Sequence, residues 1–213
     1  MDLEVEDYYQ VVMNEIKNRI FSAEILSNER ENAIFIEATT LQIRKIIELI
    51  AYLSLVLNRE KVNRKIRNKF QANLIINAIS DKTKIFFPFP SYIIPPNKDN
   101  KEAILIPIGY KNSLSQNQII DIYKKCGKIL HAQHPYEIEI DFKQYKLENK
   151  IILNKLKNLL QNHTIGIKHE NNRYTFLYVT MDFSKENPQP TVLREYKTNI
   201  FSEEKLQSNF NLY

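Results

Sequence analysis

A run of 27 residues without proline or glycine, ENAIFIEATTLQIRKIIELIAYLSLVL at positions 31–57, limits what this chain can become. Apolar side chains at Ile34, Phe35, Ala38, Leu41, Ile46, Ile47, Leu49, Ile50, Leu53 and Val56 cover most of the circumference of a helix. A helix apolar nearly all round is the buried centre of a fold or a membrane span. Arg44, Lys45 and Glu48 stand in its middle, and a charge at a bilayer centre costs roughly 2.5–3.5 kcal/mol. The run is therefore read as a buried central helix, with no membrane association expected.

Those charges carry the first candidate chemistry. Glu37, Arg44 and Glu48 fall within roughly 40° of one another on a helix, and Arg44 and Glu48 are an i,i+4 pair. A charged stripe on an apolar helix must be paired or exposed. It is either a structural ion pair at the edge of the core or a polar active-site stripe facing another helix.

The rest of the chain is organised around this helix. Tyr9, Val12, Met13, Ile16, Ile20, Ala23 and Leu26 recur at helical spacing and predict a helix over 6–27. Ser27–Arg30 is the turn, with Asn28 as the cap of the next helix. The segment IFFPFPSYIIPP, from Ile85, carries four prolines. They forbid a helix and a central strand, so an extended or edge segment is expected. NKDNKE is a turn, and AILIPIGY (103–110) an edge strand holding Pro107. Ser115 caps a second helical block that Pro135 stops, and YEIEI (136–140) is a short strand. Residues 141–161 form a further helix whose lysines give it a solvated basic face. HTIGIKH, RYTFLYVTMDF and TVLREYK alternate as strands. Leu177, Val179, Met181 and Phe183 point one way, and the aromatic row Tyr174, Phe176, Tyr178 points the other. That row lacks the glycine-containing ribonucleoprotein motif, so packing is expected of it rather than base stacking.

The fold class expected is α+β: a helical core around a long buried helix, plus a small antiparallel sheet. A mainly helical domain spans 1–162 with a proline-rich extended insert at 85–110. A small β element at 163–198 packs on it, and 199–213 is a tail.

Composition closes several routes. With three glycines a Gly-rich phosphate loop is nearly excluded, and the single cysteine, Cys126, forbids an internal disulfide and a Cys-rich zinc site. The acidic start MDLEVEDYYQ has no apolar h-region, and a cytoplasmic protein is expected. Net charge is +5, compatible with nucleic acid without being diagnostic. The densest positive run is REKVNRKIRNK (59–69), where Arg59, Lys61, Arg64, Lys65, Arg67 and Lys69 stand beside one acid, Glu60. It reads as a phosphate-facing patch along a helix or as a solvated helix surface.

The stretch CGKILHAQHPY (126–136) holds His131 and His134. Cys126 lies roughly 140° around the helix from His131, too far to join a metal site there or to use it as a base, and neither metal nor cofactor is expected. His163 and His169, at the ends of a short strand, are read as solvated.

Lys125 and His131 are spaced Lys-x5-His. This resembles the Arg-x(4–6)-His motif near a helix end in the HEPN superfamily (higher eukaryote and prokaryote nucleotide-binding), with lysine where that family carries arginine. The resemblance touches residues 6–134. It implies metal-independent RNA cleavage, with His131 as general base or acid on a ribose 2′-hydroxyl. Lys125 and Arg44 would stabilise charge on phosphorus, and Glu48 would orient Arg44. It also implies a toxin–antitoxin or phage-defence role, with a homodimer or another protein partner. The central helix and CGKILHAQHPY further resemble bacterial proteins of no assigned activity.

Two function classes follow: a bacterial protein binding or cleaving RNA, and a non-enzymatic interaction module of the immunity, antitoxin or assembly-partner kind. They separate on His131. An enzyme needs it within reach of Lys125, Arg44 or Glu48. An interaction protein leaves it apart and shows an exposed apolar or charged patch instead.

Overall fold

The structure, a computed structural model, describes residues 3–94, 98, 104–131, 141–169, 174–183 and 190–197. It is α+β. Helix α1 (Leu3–Asn28) and helix α2 (Ala33–Leu57) pack along each other, and α2 also touches α4 (Ala72–Ser80), α5 (Gln116–Leu130), α6 (Phe142–Gln161) and strand β3 (Asn162–Lys168). α2 is thus the central element. Its core side carries Ile36, Ile43, Ile46, Ile47, Ile50 and Leu53. It is not buried all round, because Ile34, Glu37, Leu41 and Lys45 form an exposed stripe at helical spacing.

The cap of α2 is Asn32 rather than Asn28. α1 runs on through Asn28, so the connection falls at 29–32, and Asn32 Oδ1 accepts from the Ile34 amide at 2.8 Å. α5 begins as expected with a reciprocal capping box. Ser115 Oγ accepts from the Gln118 amide, and the Gln118 side chain accepts from the Ser115 amide.

In α6 the lysines do more than meet solvent. Lys146 donates to the Glu29 carbonyl and Lys150 to Asn28 Oδ1, and Lys157 pairs with Glu24. Cations on α6 thus meet the carbonyl end of α1, where the helix dipole is negative. Asn149 is buried among apolar neighbours and satisfied by Thr40 Oγ1 at 2.9 Å.

The sheet is antiparallel throughout, in the order β2-β1-β3-β4-β5, from β1 (Phe89–Ile94), β2 (Ile104–Pro107), β3, β4 (Tyr174–Met181) and β5 (Pro190–Lys197). Its strands come from both the proline-rich insert and the C-terminal segment. β2 is an edge strand, as Pro107 suggests, but β1 is internal. Pro90 is tolerated because only its carbonyl is bonded across the sheet, accepting from the Ile108 amide at 2.9 Å, and the β2 ladder begins at Ser91. Leu177, Val179 and Met181 face the core, with Phe183 packed at its margin. Phe176 on the other face is also buried, 2% exposed and opposite Gly166, so it offers no open stacking surface.

His163 is a correction. It is fully buried, with its ring nitrogens at Tyr9 Oη and the Leu160 carbonyl. β3 starts directly from α6 with no intervening loop, and its alternation puts His163 on the side of Ile165, facing the core. His169 is exposed and meets Thr175 Oγ1 at 2.8 Å. No helix among the described residues is long and apolar enough to cross a membrane. The expected strand 136–140, the stop at Pro135, the turns 97–102 and 170–172 and the tail 199–213 lie wholly or largely outside the described residues.

Candidate nucleic-acid interface

The basic run does not lie along one helix. After α2 the chain makes a single 3₁₀ turn (Arg59–Lys61), then one turn of helix α3 (Arg64–Arg67), and then enters α4. Asparagines punctuate it. Asn58 closes α2, and Asn63 caps α3 by accepting from the Ile66 amide at 3.0 Å. Short polar side chains compete with the helix for backbone groups, so the run breaks into turns. Val62 is buried and Ile66 packs against the core, which anchors the turns and directs Arg59, Arg64 and Lys65 outward. Lys61, Arg67 and Lys69 are half-buried.

Charge distribution sets this surface apart. Six cations and one acid give 59–69 a net +5, equal to the whole chain's +5, so the remainder is neutral overall. Among the described residues, none of the six pairs with a carboxylate; the same holds for Lys17, Lys111, Lys128, Lys143 and Lys155, so it is the density of cations that distinguishes the run. At the end of the run Phe70 is 62% exposed, between Lys69 and the start of α4.

The polar stripe of α2 meets α5. Arg44 Nε lies 3.4 Å from Glu48 Oε1. Arg44 also donates to the Tyr123 hydroxyl at 3.0 Å, and that hydroxyl donates to Glu48 Oε1 at 3.1 Å. The guanidinium carbon sits 4.3 Å from the centroid of the Tyr123 ring. Lys45 reaches Glu48 Oε2 at 3.9 Å. Burial first, then Glu48, raises the pKa of Tyr123, and the Arg44 charge and, more weakly, the Ala72 amide at the start of α4 oppose this. The same two causes, burial then Glu48, raise Tyr52. One turn beyond Tyr123, Gly127 leaves room for the guanidinium, since a Cβ there would stand 3.1 Å from an Arg44 terminal nitrogen. Arg44 and Glu48 keep side-chain exposures of 27% and 16%, so the cluster lies at the edge of the core.

Lys125 is engaged elsewhere. It pairs with Glu148 on α6 and lies over the Tyr145 ring at 5.0 Å, and Gln144 holds the other Glu148 oxygen at 2.9 Å. Tyr123 and Lys125 lie about 200° apart around α5, which turns one to α2 and the other to α6. His131 is the exposed C-cap of α5, with extended φ and ψ of −87° and 145°. Among the described residues no hydrogen bond or ion pair joins His131 to Lys125, Arg44 or Glu48. Among the described residues, then, Arg44 is paired with Glu48 and Lys125 with Glu148, and His131 is joined to none of them.

Cys126 is buried, and burial pushes its thiol up to about 12 against the smaller opposing effects of Arg44 and Lys125. It is an inert core side chain. No group of three His, Cys, Asp or Glu side chains among the described residues could hold a metal ion, and His134 lies outside them. Tyr123 and Gly127 were missed from the sequence. The available signal was a tyrosine on the apolar face of α5, whose hydroxyl needs a partner once buried. No family model matches this chain, and no curated protein or solved structure matches it.

Proposed function

We propose that this protein binds RNA through the turns at 59–70, and that it acts as a binding protein rather than a nuclease. One observation carries the reading. Arg59, Lys61, Arg64, Lys65, Arg67 and Lys69, with the single acid Glu60, give the run 59–69 a net +5, equal to that of the whole chain, and none of the six finds a carboxylate partner among the described residues. Unpaired cations on one surface are free to replace the counterions of a phosphate backbone. Lys125 and Arg44, the cations that the HEPN resemblance assigns to catalysis, are each already held by a carboxylate.

The cellular setting that fits the resemblance is a bacterial toxin–antitoxin or defence system in which RNA is bound. The test is binding of a labelled RNA across a salt series, together with induced expression of wild type and His131→Ala and total RNA on a gel. Salt-sensitive binding with intact RNA in both strains is expected. RNA cleavage lost in His131→Ala would replace this reading with the nuclease one.

A second reading rests on a different surface. Tyr8, Val11, Phe21 and Ile25 are 61%, 64%, 60% and 50% exposed on the outer side of α1. A row of this kind suits contact with another protein chain, as in an interaction module. A monomeric sedimentation profile, with no change on Phe21→Glu, would remove a second copy as that partner.

A further inference from the structure

We infer that the nucleic acid held at 59–70 is an unpaired strand, with one base stacked on Phe70. This rests on the RNA-binding reading above and adds the class of ligand. Phe70 is 62% exposed although it follows directly on the half-buried Lys69 and lies two residues before the buried Ala72. The chain is anchored on both sides of it, by Ile66 and by Ala72 with Ile75 and Ile76 of α4. An exposed phenyl ring on an anchored turn, beside a row of unpaired cations, presents both parts of a single-strand site. Cations track the phosphates, and an aromatic face takes a base. A base within a duplex is stacked on its neighbours and shows the protein only its edge. A duplex therefore gains the charge contacts without the stacking contact. Every base has a π-face, so the preference is for strandedness rather than sequence. Single-stranded RNA and single-stranded DNA share this chemistry, and the 2′-hydroxyl is what could separate them.

The chain contains no tryptophan, so Phe70→Trp installs a single indole reporter at this position. The probes are a mixed-sequence 12-nucleotide RNA, its DNA counterpart and a 12-base-pair RNA duplex, each followed by anisotropy and by tryptophan emission. Phe70→Trp is expected to bind single strands at least as well as wild type, with emission quenched by the single strand and little changed by the duplex. Phe70→Ala is expected to weaken single-strand binding about 5- to 100-fold and to leave duplex binding within about twofold. Equal loss of both ligands, or salt-sensitive single-strand binding without quenching, would overturn the stacking inference while the charge-based reading stands. Absence of binding by wild type to all three probes would overturn both. Equal affinity for the RNA and DNA single strands supports stacking alone, and a preference for RNA supports stacking with a 2′-hydroxyl contact.

Discussion

The Tyr9 hydroxyl lies 2.7 Å from His163 Nε2, and both side chains are fully buried. The other ring nitrogen, Nδ1, is 3.1 Å from the Leu160 carbonyl. A carbonyl can only accept, so Nδ1 carries the proton and Nε2 accepts from Tyr9. The neutral ring is completely satisfied, and it ties α1 to the junction of α6 and β3.

A pH dependence of stability follows. Burial lowers the His163 pKa to about 4, against a smaller opposing contribution from the Leu160 carbonyl. The depressed value means that the unfolded chain takes up a proton below 6.5, which the folded chain refuses until about 4. Stability from this group is whole above pH 6.5, declines as pH falls through that window, and changes no further below it. The loss is roughly 3 kcal/mol. Urea midpoints measured from pH 7.5 to 4 should show this decline in wild type and a shallower one in His163→Gln. Equal slopes in the two proteins would assign the acid sensitivity to other groups.

Tyr123 is the hinge of the Arg44–Glu48 cluster, and its hydroxyl and ring make separate contributions. Tyr123→Phe removes the hydroxyl's bonds to Arg44 and Glu48 and keeps the ring under the guanidinium, for an expected loss of about 1 kcal/mol. Glu48→Ala strips a partner from Arg44 and from Tyr123 together, for an expected loss of about 1–2 kcal/mol. A fully buried pair would lose about 3–5 kcal/mol. Exposures of 27% and 16% let water replace part of what the carboxylate supplied. The double variant should lose less than the sum of the two single changes. Strict additivity would show that the Tyr123 hydroxyl and Glu48 are not coupled in solution.

Gly127 sits inside α5, where glycine costs about 1 kcal/mol relative to alanine. The glycine is explained by Arg44, whose terminal nitrogen would lie 3.1 Å from an added Cβ. That nitrogen belongs to a guanidinium held by Glu48 and Tyr123 and has little freedom to withdraw. Gly127→Ala alone should therefore bring no gain in stability, whereas the same change in an Arg44→Met background should gain about 1 kcal/mol. Thermal midpoints of the four proteins decide this. A gain of equal size in both backgrounds would separate Gly127 from Arg44.

What could be read from the sequence was local, and what could not was distant. The central helix, the Ser115 cap and the strand in RYTFLYVTMDF are each set by neighbours within a few residues, and each is found in the structure, the helix over Ala33–Leu57 and the strand over Tyr174–Met181. His163 was misplaced because its partner Tyr9 lies 154 residues away, and an isolated imidazole gives no sign that it will be buried. Arg44 and Glu48 were legible as an i,i+4 pair, but Tyr123 is 79 residues from Arg44 and joins it only through the packing of α5 on α2. Lys125 lies on another face of α5 and meets Glu148 of α6, 23 residues away, instead. The basic run was legible as charge but not as shape. Its asparagines favour caps and turns, but only the structure shows that Asn58 closes α2 and Asn63 caps α3.

The charge of those turns should be measurable as a salt slope. If all six cations met the phosphates of a single strand, log K would fall with log salt at a slope of about −4, which is the upper bound for this patch. Arg59, Arg64 and Lys65 are the exposed members, so the triple change to alanine should reduce the slope by about 2 while leaving the fold intact. Lys124→Ala is the control, because Lys124 lies on α5 near Asp121 at 3.9 Å and outside the patch; its slope should match wild type. Anisotropy titrations of a labelled single-stranded RNA from 50 to 300 mM salt read both numbers. A triple variant with an unchanged slope would place the phosphate contacts elsewhere on the molecule.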